Sequence, residues 1–249
     1  MKLALLADVH ANLEALEACL AHADARGADS HAFLGDLVGY GADPAAVVEI
    51  VESCVRRGAI AVRGNHDAAA VNPAEDAHMN RLAATAIAWT RGVLSHGARV
   101  FLSGLPLVVR RDAALFVHAS ADAPGGWTYV SGPVEAGVSL RASGDASYVL
   151  GGHVHEPMLY YTGAAGRPLP FEPVPDIPIP VPPRRRWLAI AGSVGQPRSG
   201  RPAACYAMLD LEAATLTFHR VGYDWRAAAA KVRAAGLPER LALRIEHGK

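Results

Sequence analysis

The sequence predicts a single α/β domain that contains two β-sheets. The first third alternates short apolar runs with amphipathic stretches, a pattern typical of parallel strands joined by right-handed helical crossovers. From Pro106 onward, short apolar runs separated by Gly, Asp and Pro predict a strand-rich second part. A helical pattern returns after Asp224. We therefore expect one domain over residues 1–249 rather than two.

Three strands and two helices are predicted in the first third. The runs KLALLAD, HAFLG and AIAV predict short buried strands. Asn12 is placed to cap a helix that ends near Gly27, and Asp43 followed by Pro44 is placed to begin a second helix. Residues 73–103 are predicted to be helical as well, because their apolar residues lie among alanines.

The strands of the second part are interrupted by a proline-rich segment. The strand-like runs are LVVRR, ALFVHA, YVLGG, MLYYT, RWLAIAG, AACYAMLDL and TLTFHRV. Eight prolines lie between Pro168 and Pro183. Such a segment is either a flexible linker or an extended excursion. Because strands are predicted on both sides of it, we expect an excursion or hairpin, at about residues 163–186, that packs on the domain.

Composition and charge exclude several classes of protein. Lys plus Arg equals Asp plus Glu at 24 each, so there is no basic footprint for nucleic acid. The three cysteines are far apart and odd in number, which disfavours a disulfide framework and favours a reducing cytosol. The N-terminal apolar run is too short for a secretion signal, and no run approaches the roughly 18–20 apolar residues of a membrane span. We expect a cytoplasmic protein with no membrane or nucleic-acid partner.

Two histidines follow a predicted strand in the stretch LGGHVHEP, residues 150–157. In an extended segment residues i and i+2 point the same way, so His153 and His155 project together. Two surface histidines in a loop would give the same short pattern, so the other strands must decide between the two interpretations.

Four other predicted strands also end in polar residues. Beyond these strand ends lie Asp8, His10, Asp36, Asn65, His66 and His118. In open α/β sheets, ligands bind beyond the carboxyl ends of the strands. A single such residue could cap a helix or a turn, but capping alone does not explain five strands that end in this way. The remaining histidines show no ligand spacing; they are His22, His31, His78, His96, His219 and His247.

The order and spacing of these motifs resemble those of the calcineurin-like metallophosphoesterase superfamily. The motifs are D-x-H, G-D, G-N-H-D, a lone His and G-H-x-H, and the resemblance covers about residues 3–211. The stretches GDLVGYGADP, VRGNHD and GSVGQPRSG are similar to the compact bacterial branch that is compared with diadenosine tetraphosphatases. The resemblance implies a four-layer α-β-β-α sandwich of two mixed sheets flanked by helices, and the number of predicted strands agrees with it.

The resemblance also implies two metal ions that share one carboxylate. One ion would be held by Asp8, His10, Asp36 and His155, and the other by Asp36, Asn65, His118 and His153. Carboxylate, amide and imidazole ligands together suit transition metals better than Mg²⁺ or Ca²⁺; we expect Mn²⁺, with Fe, Zn, Co or Ni as alternatives. Two bridged ions about 3.5–4 Å apart fit an in-line displacement at phosphorus and make hydroxide available near neutral pH.

His66 lies beside the predicted ligand Asn65 but is not itself counted as a ligand. The resemblance implies that it contacts the phosphate and acts as general acid for the leaving oxygen; a supporting histidine is the alternative. Asp67 is expected to cap a turn or to support the ligands. Protein phosphatases of this superfamily carry G-D-x-x-D-R-G, whereas this chain has Gly39 and Tyr40 in place of that Asp and Arg. This argues against a protein phosphatase and leaves the group that orients His66 unassigned.

Three residues are candidates for substrate contact. Trp127 and Tyr129 follow His118 on a loop with two glycines, and their rings could stack on a nucleobase; packing in the core or at an interface explains them equally well. Arg198 lies in the glycine-rich GSVGQPRSG and is a candidate phosphate contact.

We expect a metal-dependent phosphoesterase that hydrolyses a small phosphate ester or a nucleotide through a metal-activated hydroxide. A dinucleoside polyphosphate hydrolase is the more specific alternative, because the fold cannot select among phosphate esters. A non-catalytic metal-binding scaffold is disfavoured because all seven ligand positions and His66 are intact. A nuclease is disfavoured by the neutral charge.

Overall fold

The computed structural model describes residues 1–163 and 166–249, without the side chains of residues 76–78. The side chain of His78 and two residues of the proline-rich segment therefore lie outside the described part. No helix in the described residues is long and apolar enough to cross a membrane.

The elements follow one another in mixed α/β order. The strands are β1 Lys2–Leu6, β2 Ser30–Phe33, β3 Ile60–Ala61, β4 Val108–Arg111, β5 Ala114–Val117, β6 Tyr148–Gly151, β7 Met158–Thr162, β8 Pro168–Phe171, β9 Ile179–Pro180, β10 Trp187–Ile190, β11 Ala203–Asp210 and β12 Thr215–Gly222. The helices are α1 Leu13–Ala25, α2 Pro44–Arg56, α3 Asn65–Val71, α4 Arg81–Val93, α5 His96–Gly104, α6 Pro133–Ala142, α7 Trp225–Ala234 and α8 Glu239–His247.

The described strands form two mixed sheets of six strands each. The first sheet has the order β3-β2-β1-β11-β12-β9, and the second has the order β4-β5-β6-β10-β7-β8. Strands β1, β2 and β3 are parallel, as predicted, and β11 joins β1 antiparallel. In the second sheet β5, β6 and β10 are parallel, whereas β4 and β7 join antiparallel. The predicted pair of mixed sheets is confirmed.

The two sheets bury their apolar faces against each other. Leu5 and Phe218 of the first sheet meet Phe116 and Leu150 of the second in one buried cluster. Helices α1 and α2 cover the outer face of the first sheet, and α6 covers the outer face of the second. Each fully buried Leu or Phe side chain contributes about 1.5–3 kcal/mol, so this layering is what fixes the strand ends in space.

Helix α1 begins as the sequence predicts, and α2 begins with a different partner. The side chain of Asn12 accepts a hydrogen bond from the Ala15 N–H at 3.2 Å. Asp43 precedes α2 but makes no capping hydrogen bond with its side chain. Its carboxylate instead lies 3.0 Å from Lys231 Nζ, which is also 2.6 Å from Glu14. Lys231 of α7 is thus attached to α1 through Glu14 and to the start of α2 through Asp43.

The structure adds two features to the second part that the sequence analysis does not specify. Helix α6 is not predicted, because its buried face consists mainly of Ala136, Gly137 and Ser139, which give no apolar periodicity. The proline-rich segment contributes strands to both sheets: β8 pairs with β7, and β9 pairs with β12. Proline is tolerated there because β8 and β9 are edge strands.

Candidate metal centre

The predicted ligands meet where the carboxyl ends of five strands come together. They follow β1, β2, β3, β5 and β6, and all except Asn65 are almost completely buried. The structure brings together Asp8, His10, Asp36, Asn65, His118, His153 and His155, as the following distances show.

The first group of donor atoms surrounds His155. Its Nε2 lies 3.1 Å from His10 Nε2 and 3.5 Å from Asp8 Oδ1. His10 Nε2 lies 3.8 Å from Asp36 Oδ2. These are four residues that the sequence assigns to one ion.

The second group surrounds His118. Its Nε2 lies 3.1 Å from His153 Nδ1, 3.2 Å from Asn65 Oδ1 and 3.4 Å from Asp36 Oδ2. The same carboxylate oxygen of Asp36 therefore lies near both groups, which is the position that a shared ligand requires.

The spacing of the donor atoms fits a transition-metal ion. Donors bound at about 2.0–2.2 Å from one ion cannot lie more than about 4.4 Å apart. Every separation given above is within that limit. Three compact groups of this kind occur in the described part: Asp8, His10 and His155; His10, Asp36 and His66; and Asp36, His118 and His153.

Backbone carbonyls orient three of the imidazoles. The Nδ1 atoms of His10, His118 and His155 lie 3.2, 2.8 and 2.8 Å from the carbonyl oxygens of Val38, Leu34 and Gln196, respectively. Each carbonyl holds the proton on Nδ1, so the lone pair of Nε2 faces the other donors. This tautomer is the one that a cation needs.

Burial keeps most of these imidazoles neutral. It lowers the pKa of His10 and His155 far below the ordinary value, and that of His153 to about 3. His118 differs: burial opposes its charge, but Asp36 beside it raises its pKa to about 9. Three of the four imidazoles thus offer a lone pair near neutral pH, whereas His118 carries a proton that a bound cation would displace.

The two carboxyl groups are perturbed in opposite directions. Burial raises the pKa of Asp8 to about 7. Burial acts in the same direction on Asp36, but His118 and His66 outweigh it and hold the pKa of Asp36 well below its usual range. Asp36 therefore remains an anion at the centre of the site.

The backbone is strained at the ligands themselves. Asp8, His10, Asp36, His153 and His155 have φ values of 53°, 49°, 54°, 68° and 69°. A left-handed conformation costs a non-glycine residue on the order of 1–2 kcal/mol, and such strain is concentrated at functional sites. This left-handed backbone could not be predicted from the identities of these residues.

His66 occupies the first turn of α3, beside the donor atoms. Its N–H donates to Asp36 Oδ1 at 2.8 Å, and burial lowers the pKa of its imidazole. The ring lies 4.5 Å from the Tyr40 ring and 4.8 Å from the His10 ring. Its Nδ1 has no hydrogen-bond partner within the described residues, and a Cβ built on Gly39 would be 2.4 Å from it. Ring packing, not a carboxylate, holds this imidazole.

Asp67 supports the loops, in keeping with its expected role. Its Oδ1 accepts hydrogen bonds from the N–H groups of Leu37 at 2.8 Å and Val38 at 3.2 Å. Its Oδ2 accepts one from the Gly64 N–H at 2.9 Å. One buried carboxylate thus connects the loop after β2 with the start of α3.

Both aromatic candidates lie beside the second donor group. The Tyr129 ring stacks on His153 at 3.9 Å and 22°, and the Trp127 ring lies 6.0 Å from His118 at 70°. Together with Asn65 and His153, they line a cavity of about 460 Å³.

Arg198 lies near the first donor group. Its charge adds to burial in lowering the pKa of His10 and His155. It lines a separate cavity of about 390 Å³ with Ser199 and Arg220. The residues that sequence reasoning missed are Tyr40, against His66, and Gln196, against His155.

Comparisons with known proteins identify the family to which the chain belongs. Residues 1–214 match the calcineurin-like phosphoesterase superfamily domain. The chain is 33% identical to the uncharacterised protein MJ0912 of Methanocaldococcus jannaschii, over 99% of this chain and 98% of that one.

Two solved structures share the fold over the whole chain. A metallophosphoesterase from Sphaerobacter thermophilus is 34% identical, with a TM-score of 0.88 and 100% of each chain covered. The hypothetical protein PH1004 from Pyrococcus horikoshii is 19% identical, with a TM-score of 0.80, covering 100% of this chain and 98% of that one. The predicted family is confirmed: the chain belongs to the calcineurin-like phosphoesterase superfamily and is a metal-dependent hydrolase of phosphoester bonds.

Proposed function

We propose that the protein hydrolyses a small phosphate ester at a centre of two Mn²⁺ ions that share Asp36. The observation that carries this proposal is the position of one carboxylate oxygen. Asp36 Oδ2 lies 3.8 Å from His10 Nε2 and 3.4 Å from His118 Nε2, and these histidines belong to different donor groups. A mononuclear site would not need a second imidazole group on the far side of that oxygen.

The donor chemistry supports manganese in a cytosolic enzyme. The three compact groups contain carboxylates and imidazoles and no thiolate, and Asn65 adds an amide oxygen. Such mixed oxygen and nitrogen sites suit Mn²⁺ better than thiolate-preferring metals. The three cysteines are free and buried, as a reducing compartment allows.

The chain's own residues supply a proton for the leaving oxygen and contacts to the phosphate. When bound, two divalent ions would offset the negative charge of the phosphate and supply hydroxide near neutral pH. His66 donates the proton that the leaving oxygen needs, and the negative charge of a bound phosphate would oppose the burial that lowers its pKa. Because its Nδ1 is buried against Gly39, Nε2 is the nitrogen that can reach the substrate. Arg198 contacts phosphate oxygens from the side of His10 and His155.

A pair of variants separates metal binding from chemistry. Asp36→Asn should lose both metal and activity, because it removes the shared negative charge. His66→Ala should keep both metals and lose about 10²–10⁴-fold in kcat, the usual contribution of a general acid. Metal content is measured by elemental analysis, and turnover is measured with p-nitrophenyl phosphate.

The exposed His96 provides the matched control, and His96→Ala should retain metal and activity. Metal-free His66→Ala would contradict the role given to His66. Full activity after exhaustive chelation would contradict the proposed function itself.

A dinucleoside polyphosphate hydrolase is the second candidate, and one observation favours it. Trp127 and Tyr129 border the cavity that also contacts Asn65 and His153. Metals bind phosphate but do not select a nucleoside, whereas an aromatic face does. A base stacked on such a ring contributes on the order of 1–3 kcal/mol.

Removal of the indole tests this second candidate. Trp127→Ala should raise the KM for diadenosine tetraphosphate about tenfold or more, the factor that 1.4 kcal/mol produces. Hydrolysis of p-nitrophenyl phosphate should change little, because the metals and Arg198 would hold that substrate by its phosphate. Equal losses with both substrates would show that Trp127 packs the fold and does not bind a base.

A further inference from the structure

A basic cavity lies between the start of α4 and the last helix of the chain. It has a volume of about 670 Å³. Three arginines line it, Arg81, Arg240 and Arg244, together with Asn80, Thr85 and Pro238. Its lining residues include no aspartate and no glutamate in the described part of the chain. We call it the arginine cavity.

The positive charges of the arginine cavity are not neutralised within the described residues. Arg81 and Arg240 are exposed, and their guanidinium groups make no hydrogen bond or ion pair within the described residues. Arg233, in the last turn of α7, instead bonds both Glu239 and Glu246. Like charges that gather without a carboxylate produce a strongly positive local potential, which attracts anions.

Arg244 connects the arginine cavity with the metal centre. Its Nη1 donates to Gln196 Oε1 at 3.4 Å, and the Gln196 carbonyl oxygen lies 2.8 Å from His155 Nδ1. The guanidinium also lies beside the Tyr40 hydroxyl, and the Tyr40 ring is 4.7 Å from His10. Gln196 therefore lies between Arg244 and His155, and Tyr40 lies between Arg244 and His10.

The guanidinium groups are close to one another. Burial lowers the pKa of Arg244, and Arg198 and Arg240 lower it further. Arg240 and Arg244 line the arginine cavity together with Arg81, and Arg244 also reaches Gln196 beside the metal centre. Guanidinium groups bind phosphate through paired hydrogen bonds, which makes such a series suited to several phosphates.

We propose that the arginine cavity binds a second, non-reacting phosphate group of a substrate that carries two or more phosphates. The proposal rests on the proposed function, because the reacting phosphate occupies the metal centre. The non-reacting phosphate accepts hydrogen bonds from Arg81, Arg240 and Arg244. The arrangement favours substrates with several phosphates over simple monoesters.

The test removes the two unpaired arginines and leaves Arg244 in place, because Arg244 contacts Tyr40 and Gln196. Binding of ATP and of AMP is measured by calorimetry at a fixed free Mn²⁺ concentration, on metal-loaded protein that carries His66→Ala to prevent turnover. ATP and AMP share the base and differ in the number of phosphates. Arg81→Ala with Arg240→Ala should weaken ATP binding at least tenfold and change AMP binding less than twofold.

Arg184→Ala, which alters an exposed arginine outside the cavity, should leave both affinities unchanged and serves as the charge control. Circular dichroism is used to check that each variant is folded. If the variant with Arg81→Ala and Arg240→Ala is not folded, Arg81→Gln with Arg240→Gln is used in its place. Equal losses for ATP and AMP, or no loss for ATP, would overturn the proposal.

Turnover of p-nitrophenyl phosphate by the wild-type chain is measured separately. If that turnover is absent while the ATP-specific loss is seen, the proposed function fails and the phosphate site stands. If turnover is present without the ATP-specific loss, the inference fails and the proposed function stands.

Discussion

Gly39 determines where the His66 ring can lie. It has a φ of +86°, and a Cβ at this position would lie 2.4 Å from His66 Nδ1 and 3.2 Å from an Ile87 methyl. Gly39 stands where the protein phosphatase motif has its second aspartate, and it is in direct contact with the His66 imidazole. The absence of a side chain at this position lets the ring pack against the backbone.

Gly39→Ala should therefore lower turnover without removing metal. The new methyl displaces the imidazole, and a misplacement of about 1 Å can cost on the order of 10²-fold in rate. We expect kcat for p-nitrophenyl phosphate to fall by about that factor, while elemental analysis finds the wild-type metal content.

Gly58 offers a matched control for backbone strain. It has a φ of +101°, and no atom lies within 4 Å of its Cβ position. Gly58→Ala should lose stability through its left-handed backbone and keep its turnover. Equal losses of kcat in the two variants would mean that strain, and not contact with His66, is responsible.

At the scale of elements, Asp67 joins two connections that carry ligands. Asp36 lies in the loop after β2, and Asn65 begins α3 after β3. The three N–H groups that Asp67 accepts from belong to these two connections. The distance between Asp36 and Asn65 therefore depends on a carboxylate that is not predicted to touch a metal.

Asp67→Ala should be severely destabilising. It leaves buried N–H groups without partners, and each such group costs about 1–3 kcal/mol. We expect the free energy of unfolding of the metal-free protein, measured by urea denaturation, to fall by at least about 3 kcal/mol, and Mn²⁺ affinity to fall as well.

Asp145→Ala removes a carboxylate that pairs with Arg110 on the surface, and it serves as the comparison. Exposed ion pairs contribute little, so this variant should unfold almost as the wild type does. A small effect at Asp67 would show that water replaces its carboxylate without cost.

At the scale of the whole molecule, the centre belongs to both sheets. Asp8, His10, Asp36 and Asn65 follow strands of the first sheet, whereas His118, His153 and His155 follow strands of the second. Both donor groups draw residues from each sheet. The packing of Leu5 and Phe218 against Phe116 and Leu150 consequently sets the separation of the two groups.

The ligands could be predicted from the sequence because each is local to a strand end. Asp8, Asp36 and His153 directly follow, or nearly follow, an apolar run, and their side chains are those that metals use. Tyr40 and Arg244 could not be predicted in this way, since they lie 204 positions apart and meet only through folding. Helix α6 was missed for a different reason, because its small buried residues carry no periodic signal.

Helices α7 and α8 come after residue 214, where the match to the family domain ends, and yet α8 supplies Arg240 and Arg244. In hereditary terms, the codons for the metal ligands and for two of the three cavity arginines lie in separate parts of the gene, whereas Arg81 is encoded among the ligands. Mutations in the last codons can therefore alter the proposed phosphate contacts of Arg240 and Arg244 and leave every predicted metal ligand unchanged.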